Sequence, residues 1–188
     1  MSHPREPLTR DRIIDAALRI VDGQGLSRLT MRRLGDSLEV EAMAIYHHLP
    51  RGKEALLDGL VEHVAVHPAP VGGAGGDWRQ RLAAWADGYR DRLLGHAGVL
   101  PLLVTRRNAV ALSMTAASLQ EVLRQGGHPE AAAATGAHTL LSFVIGHTAL
   151  EVRGLAARQA AGPEDTVDWS ARFTAGLGLV LAGLATAR

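Results

Sequence analysis

The run PAPVGGAGG at 68–76 divides this chain more sharply than any other stretch. Proline lacks an amide donor and glycine lacks a side chain, so a dense mixture of the two sustains neither helix nor strand. On either side of it, apolar residues recur three and four positions apart, the spacing of helices that bury one face. The chain must therefore be assembled from helices in two parts, which we place at 6–67 and 68–188. Hydrophobic residues make up 47% of the 188 and aromatics only 4%, so the core has to be built from Leu, Ala and Val. With few β-branched runs, that composition predicts an all-α protein.

Several classes of function drop out early. There is no cysteine, which excludes a disulfide framework, cysteine-ligated zinc and thiol catalysis, and fits the cytoplasm. The opening MSHPREPLTRDR is polar and charged, unlike an apolar leader. The uncharged stretches at 139–150 and 173–185 fall short of the ~20 residues that cross a bilayer, so no membrane partner is expected. No Gly-rich phosphate loop, Gly-x-Ser-x-Gly or His-Glu-x-x-His is present, and neither catalysis nor a cofactor is predicted. Net charge is +1; residues 1–53 carry 9 Lys+Arg against 7 Asp+Glu. An asymmetry that small leaves any nucleic-acid role to the placement of particular arginines.

Thr9 is placed to cap a helix over 10–22, with Ile13, Ile14, Ala17, Leu18 and Val21 on one face and Gly23 and Gly25 at its end. Thr30 can cap a short helix over 31–38, followed by a tight turn and a second short helix over 42–49. If Leu34, Leu38, Val40, Ile45 and Leu49 face inward, then Arg32, Arg33, Ala42, Met43, Ala44, Tyr46, His47 and His48 face outward. Two arginines, small residues, Tyr and His on one surface suit contact with DNA, although the same spacing also describes an ordinary helical hairpin. A fourth helix over 51–67 carries Leu56, Leu57, Leu60, Val61 and Val64.

Beyond the Gly/Pro run, Asp77 can cap a helix over 78–94 whose Trp78, Leu82, Trp85, Tyr89 and Leu93 form a core stripe. A short apolar element over 99–104 follows, then helices over 108–124, 129–158 and 169–187. The last two carry Gly146, Gly154, Gly176, Gly178 and Gly183. Small residues allow helix axes to approach, and we expect this pair to meet its copy in a four-helix-bundle dimer interface. His63 and His67 are four apart on one helix, a spacing able to share a metal, but no third ligand accompanies them and none is predicted. His138 and His147 are expected as hydrogen-bonded core or interface groups.

The residues IIDAALRIVDGQGLSRLTMRRLGDSLEVEAMAIYHHL followed by KEALLDGLV resemble the TetR family of bacterial transcriptional regulators. The shared pattern is an apolar first helix, a G-x-x-x-x-T step, a two-helix unit, Tyr-x-His and a Lys-x-x-Leu-Leu helix start. The closing SFVIGHTALE and FTAGLGLVLAGL look similar to the tetracycline repressor branch. The resemblance implies a helix-turn-helix domain followed by a ligand-binding and dimerisation domain, and a homodimer on a palindromic double-stranded operator. It implies that Thr30 caps the second helix and touches phosphate, and that Arg32, with Arg33 beside it, reaches a guanine edge. Ala42, Met43 and Ala44 would face bases, while Tyr46, His48 and Lys53, with His47 alongside, would anchor phosphates. Arginine does fit the guanine O6/N7 edge, and alanine or methionine can meet a thymine methyl.

This sequence departs from the family pattern in three places. Glu39 stands where the turn usually has glycine, Gly35 where alanine is usual, and the segment before Lys53 is one residue longer. The resemblance also implies a small-molecule effector that shifts the separation of the two DNA-binding heads through the fourth helix. Where the tetracycline branch has a magnesium-binding histidine, this chain reads Leu102 in register, which argues against a tetracycline–magnesium effector. We expect a mostly apolar molecule among His67, Leu102, Thr105, Met114, Ser118, Leu141, Ser142 and Ile145. The competing reading is a small-molecule or metal-binding module without a DNA role.

Overall fold

In the computed structural model, which describes residues 7–66, 76–105, 109–161 and 167–186, every regular element is helical. Helix α1 (Arg10–Gln24) starts at Thr9, whose Oγ1 accepts the Arg12 N–H at 3.3 Å. It buries Ile13, Ile14, Ala17, Leu18 and Val21 as expected, together with Ala16 and Ile20. A single 3-10 turn at Leu26–Arg28 leads to α2 (Met31–Leu38) and α3 (Ala42–His48). Of the five residues expected inward here, Leu34, Ile45 and Leu49 are fully enclosed, while Leu38 and Val40 are half-buried against the core.

The turn between α2 and α3 resolves two of the three departures together. Glu39 takes a left-handed conformation (φ 55°, ψ 39°), and its N–H bonds Asp36 O while the Val40 N–H bonds Gly35 O at 3.0 Å. These paired bonds are the Schellman arrangement that closes a helix, normally with glycine at the left-handed position. The closing turn folds back onto the α2 backbone at Gly35. A Cβ there would stand 2.8 Å from Val40 O and 3.3 Å from Ala42 N. Glycine at 35 is thus required by close approach, and the left-handed strain falls on Glu39.

Helix α4 (Lys53–Ala65) is shorter at both ends than the apolar period suggested. Arg51 and Gly52 are drawn into the turn before it, and Val66 is already extended. Its buried residues are Leu56, Leu57, Gly59, Leu60, Val61, Val64 and Ala65. Helix α5 (Trp78–Gly95) opens with a reciprocal capping box between Asp77 and Gln80, and buries the stripe Trp78, Leu82, Trp85, Tyr89 and Leu93. Then come α6 (Leu100–Thr105), α7 (Ala109–Gln125), α8 (Glu130–Ala161) and α9 (Trp169–Thr186).

Helix α8 packs against α5, α7 and α9. The Arg90 guanidinium of α5 grips Glu151 of α8 through Nε at 2.8 Å and Nη2 at 2.5 Å, and also reaches Ser170 Oγ of α9 at 3.2 Å. Both charged ends are largely enclosed, so removing either partner would strand the other. His138 and His147 are hydrogen-bonded to the carbonyls of Ala134 and Trp169. Over residues 130–158, α8 is long and apolar enough to cross a membrane by length and composition, at a mean hydropathy of 1.3. The uncharged runs alone had fallen short of that. Glu151 within this stretch is nevertheless committed to Arg90 of a neighbouring helix.

Glu39→Gly should raise stability by about 1 kcal/mol by relieving the left-handed strain. Gly35→Ala should lower it by about 1–3 kcal/mol through overpacking against the turn. Urea unfolding of the two variants checks both signs.

Candidate nucleic-acid interface

The α2–α3 unit has so little apolar surface to hide that most of its side chains are left for other purposes. Thr30 Oγ1 accepts the Arg33 N–H at 3.1 Å, which caps α2 and leaves the hydroxyl proton free to donate outward. Arg32 and Arg33 are exposed, and among the described residues neither has a carboxylate partner. Arg10, Arg51, Arg90 and Arg124, by contrast, are paired with Glu62, Asp58, Glu151 and Glu121. In α3, Ile45 alone is fully buried; Met43 is 67% exposed, Tyr46, His47 and His48 are exposed, and Ala42 and Ala44 are half-buried.

The longer segment before α4 has a specific use. Gly52 has φ 55°, and a Cβ on it would lie 2.6 Å from Tyr46 Cε1. The Gly52 N–H bonds Leu49 O at 2.7 Å, which closes the turn and seats the Tyr46 ring on the glycine. The phenol is thereby held beside the start of α4, where Lys53 is the first residue and is exposed. Lysine at a helix N-terminus opposes the helix dipole, so it contributes nothing to α4 stability there. An exposed ammonium at a helix N-terminus is instead an arrangement for an anion such as phosphate. Gly52 was not among the residues singled out from sequence; the extra residue in the loop was its only trace.

The residues expected around an effector differ in exposure in the single chain. Leu102 and Leu141 are buried in the core and Ile145 is half-buried. Thr105, Met114, Ser118 and Ser142 are at the surface. The Thr105 and Ser118 hydroxyls bond carbonyls of their own helices, Pro101 O at 2.7 Å and Met114 O at 3.1 Å. Ser142 lines a shallow open hollow on α8 with Ala134, Thr135, His138 and Thr139. His67 lies outside the described residues. No group of three metal-ligating side chains occurs among the described residues.

Between the N-terminal helices and the rest is a polar joint. His96 Nδ1 lies 2.9 Å from Asp22 Oδ2 at the end of α1. The His63 and His96 rings meet edge-on, 6.2 Å apart. Burial, then the Arg92 charge and His96, hold His63 below its ordinary pKa against the opposing pull of Asp15 and Asp11.

Comparison with known proteins places this geometry. Residues 13–60 match the bacterial regulatory proteins of the tetR family, and 69–162 match the tetracyclin repressor-like C-terminal domain. The chain belongs to the TetR family. It is 29% identical to an HTH-type transcriptional regulator of Saccharopolyspora erythraea, over 98% of this chain and 87% of that protein. It is 31% identical to the class A tetracycline repressor from transposon 1721 in Escherichia coli, over 76% of this chain and 66% of that protein. Among solved TetR-family structures, it resembles BioQ with its double-stranded DNA operator (TM-score 0.68, 26% identity, 95% of this chain and 99% of that one). It also resembles Streptomyces coelicolor ActR in complex with (S)-DNPA (TM-score 0.74, 27% identity, 97% of this chain and 100% of that one). The TetR relatives are DNA-binding transcriptional regulators rather than enzymes, and this chain shares that function at the level of the family.

Gly52→Ala should displace the Tyr46 ring and weaken DNA binding while leaving the helical content intact. Circular dichroism and fluorescence anisotropy on a labelled duplex read the two properties separately.

Proposed function

We propose that this TetR-family chain is a homodimeric repressor that acts in the cytoplasm and is released from its operator by a small, mostly apolar effector. Residues 6–67 would form the DNA-binding part with its connector helix, and 68–188 the effector and dimerisation part. The observation that carries the DNA reading is the set of exposed cations without a carboxylate partner and of hydrogen-bonding groups gathered on α2, α3 and the start of α4. Thr30, Arg32, Arg33, Ala42, Met43, Ala44, Tyr46, His47, His48 and Lys53 all lie within the α2–α3 unit or at the start of α4, and none is fully buried.

On this reading α3 enters the major groove with Ala42, Met43 and Ala44 toward base edges. Arg32 supplies the hydrogen bonds that select guanine, and Thr30, Tyr46, His48 and Lys53 fix the register on phosphates. A two-fold dimer then recognises a palindrome whose half-sites are about one helical turn apart. For the pairing surface, α8 and α9 offer Leu150, Leu155 and Leu179, exposed at 58%, 40% and 76%. The effector reading has support from relatives: one was solved with (S)-DNPA, another with minocycline. For this chain we infer a mostly apolar molecule bound near Leu102, Leu141 and Ile145, with His67, Thr105, Met114, Ser118 and Ser142 drawn in as the pocket forms.

Selection from a random duplex library should enrich a palindrome, with affinity falling steeply as salt rises. Arg32→Ala should cost about 1–3 kcal/mol and relax the preference at one base position, as expected for a lost bidentate contact. Tyr46→Phe should weaken binding evenly across sequences. If no duplex is enriched at low salt, the repressor reading fails.

Sedimentation at micromolar concentration should give the mass of two chains, and Leu179→Glu should shift it toward one. A mass of one chain for the parent overturns the pairing.

A further inference from the structure

The last four carbonyls of any helix lack partners within it, and how they are satisfied shows what holds that end. In α4, Glu62 O takes the Val66 N–H at 3.2 Å, a bond local to the chain. Two of the other three are taken by side chains from distant helices. His63 O accepts from Arg92 Nη2 of α5, and Ala65 O accepts from Thr115 Oγ1 of α7 at 2.9 Å.

Neither side chain has a stronger competing use. Arg92 makes no ion pair among the described residues, and its Nε is enclosed without a partner, so its bond to His63 O is the one hydrogen bond it makes there. Thr115 is buried, and its hydroxyl has one proton but two carbonyls within reach. Ala65 O lies at 2.9 Å, and Ala111 O, one turn back in its own helix, at 3.3 Å. If α4 moves away, the Thr115 proton can turn to Ala111 O, so no buried donor is left without an acceptor.

We propose that Arg92 and Thr115 are positioning residues that set where the C-terminal end of α4 sits, with Thr115 as the releasable hold. Through α4 they fix the place of the α2–α3 unit relative to the effector part. The consequence for DNA affinity rests on the repressor reading above; the positioning itself is measured without DNA.

The chain has no cysteine of its own, so Ser27→Cys and Ala131→Cys can carry the only two spin labels. Both positions are exposed. Labelled chain diluted into excess unlabelled chain gives an intrachain distance, whether the protein is paired or single. Double electron–electron resonance should find one narrow distance in the parent and in Thr115→Ser, which keeps the hydroxyl. Thr115→Val, of similar volume but without the donor, and Arg92→Met should each broaden or displace it, with cooperative melting confirming that they fold. The proposal is overturned if both folded variants keep the parent distribution, or if Thr115→Ser behaves like Thr115→Val. Failure to enrich any duplex would remove the regulatory consequence and leave this distance result standing.

Discussion

The burial of α4 is the constraint on which the rest of the molecule depends. At 100° per residue, Leu56, Leu57, Gly59, Leu60, Val61, Val64 and Ala65 spread over more than half the girth of the helix. One side packs on α1, where Gly59 comes so close to Ile14 that an added Cβ would meet Cδ1 at 2.3 Å. Another packs on α6 and α7. A helix enclosed in this way cannot shift against one neighbour without disturbing the other, because packed interiors do not deform smoothly. A change in the C-terminal part therefore has a mechanical route to the α2–α3 unit, as ligand-linked control of DNA affinity requires.

Electrostatics adds the second ingredient by placement rather than amount. A net charge of +1 makes a weak field overall. The cations of the α2–α3 unit and the start of α4 can be set beside two that are already committed. Arg51 is held by Asp58 at 2.9 Å and Arg10 by Glu62 at 2.6 Å, so both already have an anion. Arg32, Arg33 and Lys53 have none among the described residues, so an incoming phosphate would meet no internal competitor there. Such groups release counterions on binding and make affinity strongly salt-dependent, even in a nearly neutral protein.

How far the sequence could be read depended on how unequal the two sides of each helix are. In α1, α2 and α3 the inner and outer faces differ sharply in polarity, and the expected spans lie within about two residues of those observed. The family resemblance then assigned roles that composition alone could not. Two features escaped because they belong to backbone geometry. Gly35 and the extra residue before Lys53 stood out in the sequence only as departures from the family pattern; the first makes room for the returning turn, and the second goes with Gly52 lying under the Tyr46 ring. The expected effector lining was less legible because α8 is apolar or small nearly all round. Leu141 and Ser142 were grouped as one lining, yet one faces the core and the other faces out. Arg92 and Thr115 could not have been found by spacing, since each meets a backbone carbonyl of a helix far away in sequence.

The outer surface of α8 and α9 bears on how a movement of α4 would be read by DNA. Gly146, Gly178 and Gly183 sit within these helices, and an added Cβ on any of them would meet nothing within 4 Å. Each costs about 1 kcal/mol relative to alanine in a helix interior, and no neighbour among the described residues gives a reason for that cost. Leu179, left largely in water, is likewise little used by the described residues. A second copy packed on this face would supply the reason for both, because glycine lets helix axes approach and an exposed leucine can fill the space so formed. It would also give α8, apolar enough in composition for a bilayer, a protein surface in place of lipid. Two chains joined there would carry their α2–α3 units at a separation set by the shared bundle and by the tilt of each α4. Since B-DNA repeats its major groove at a fixed interval, a small displacement of α4 in both chains would put the pair of units out of step with successive grooves without altering any residue that touches DNA.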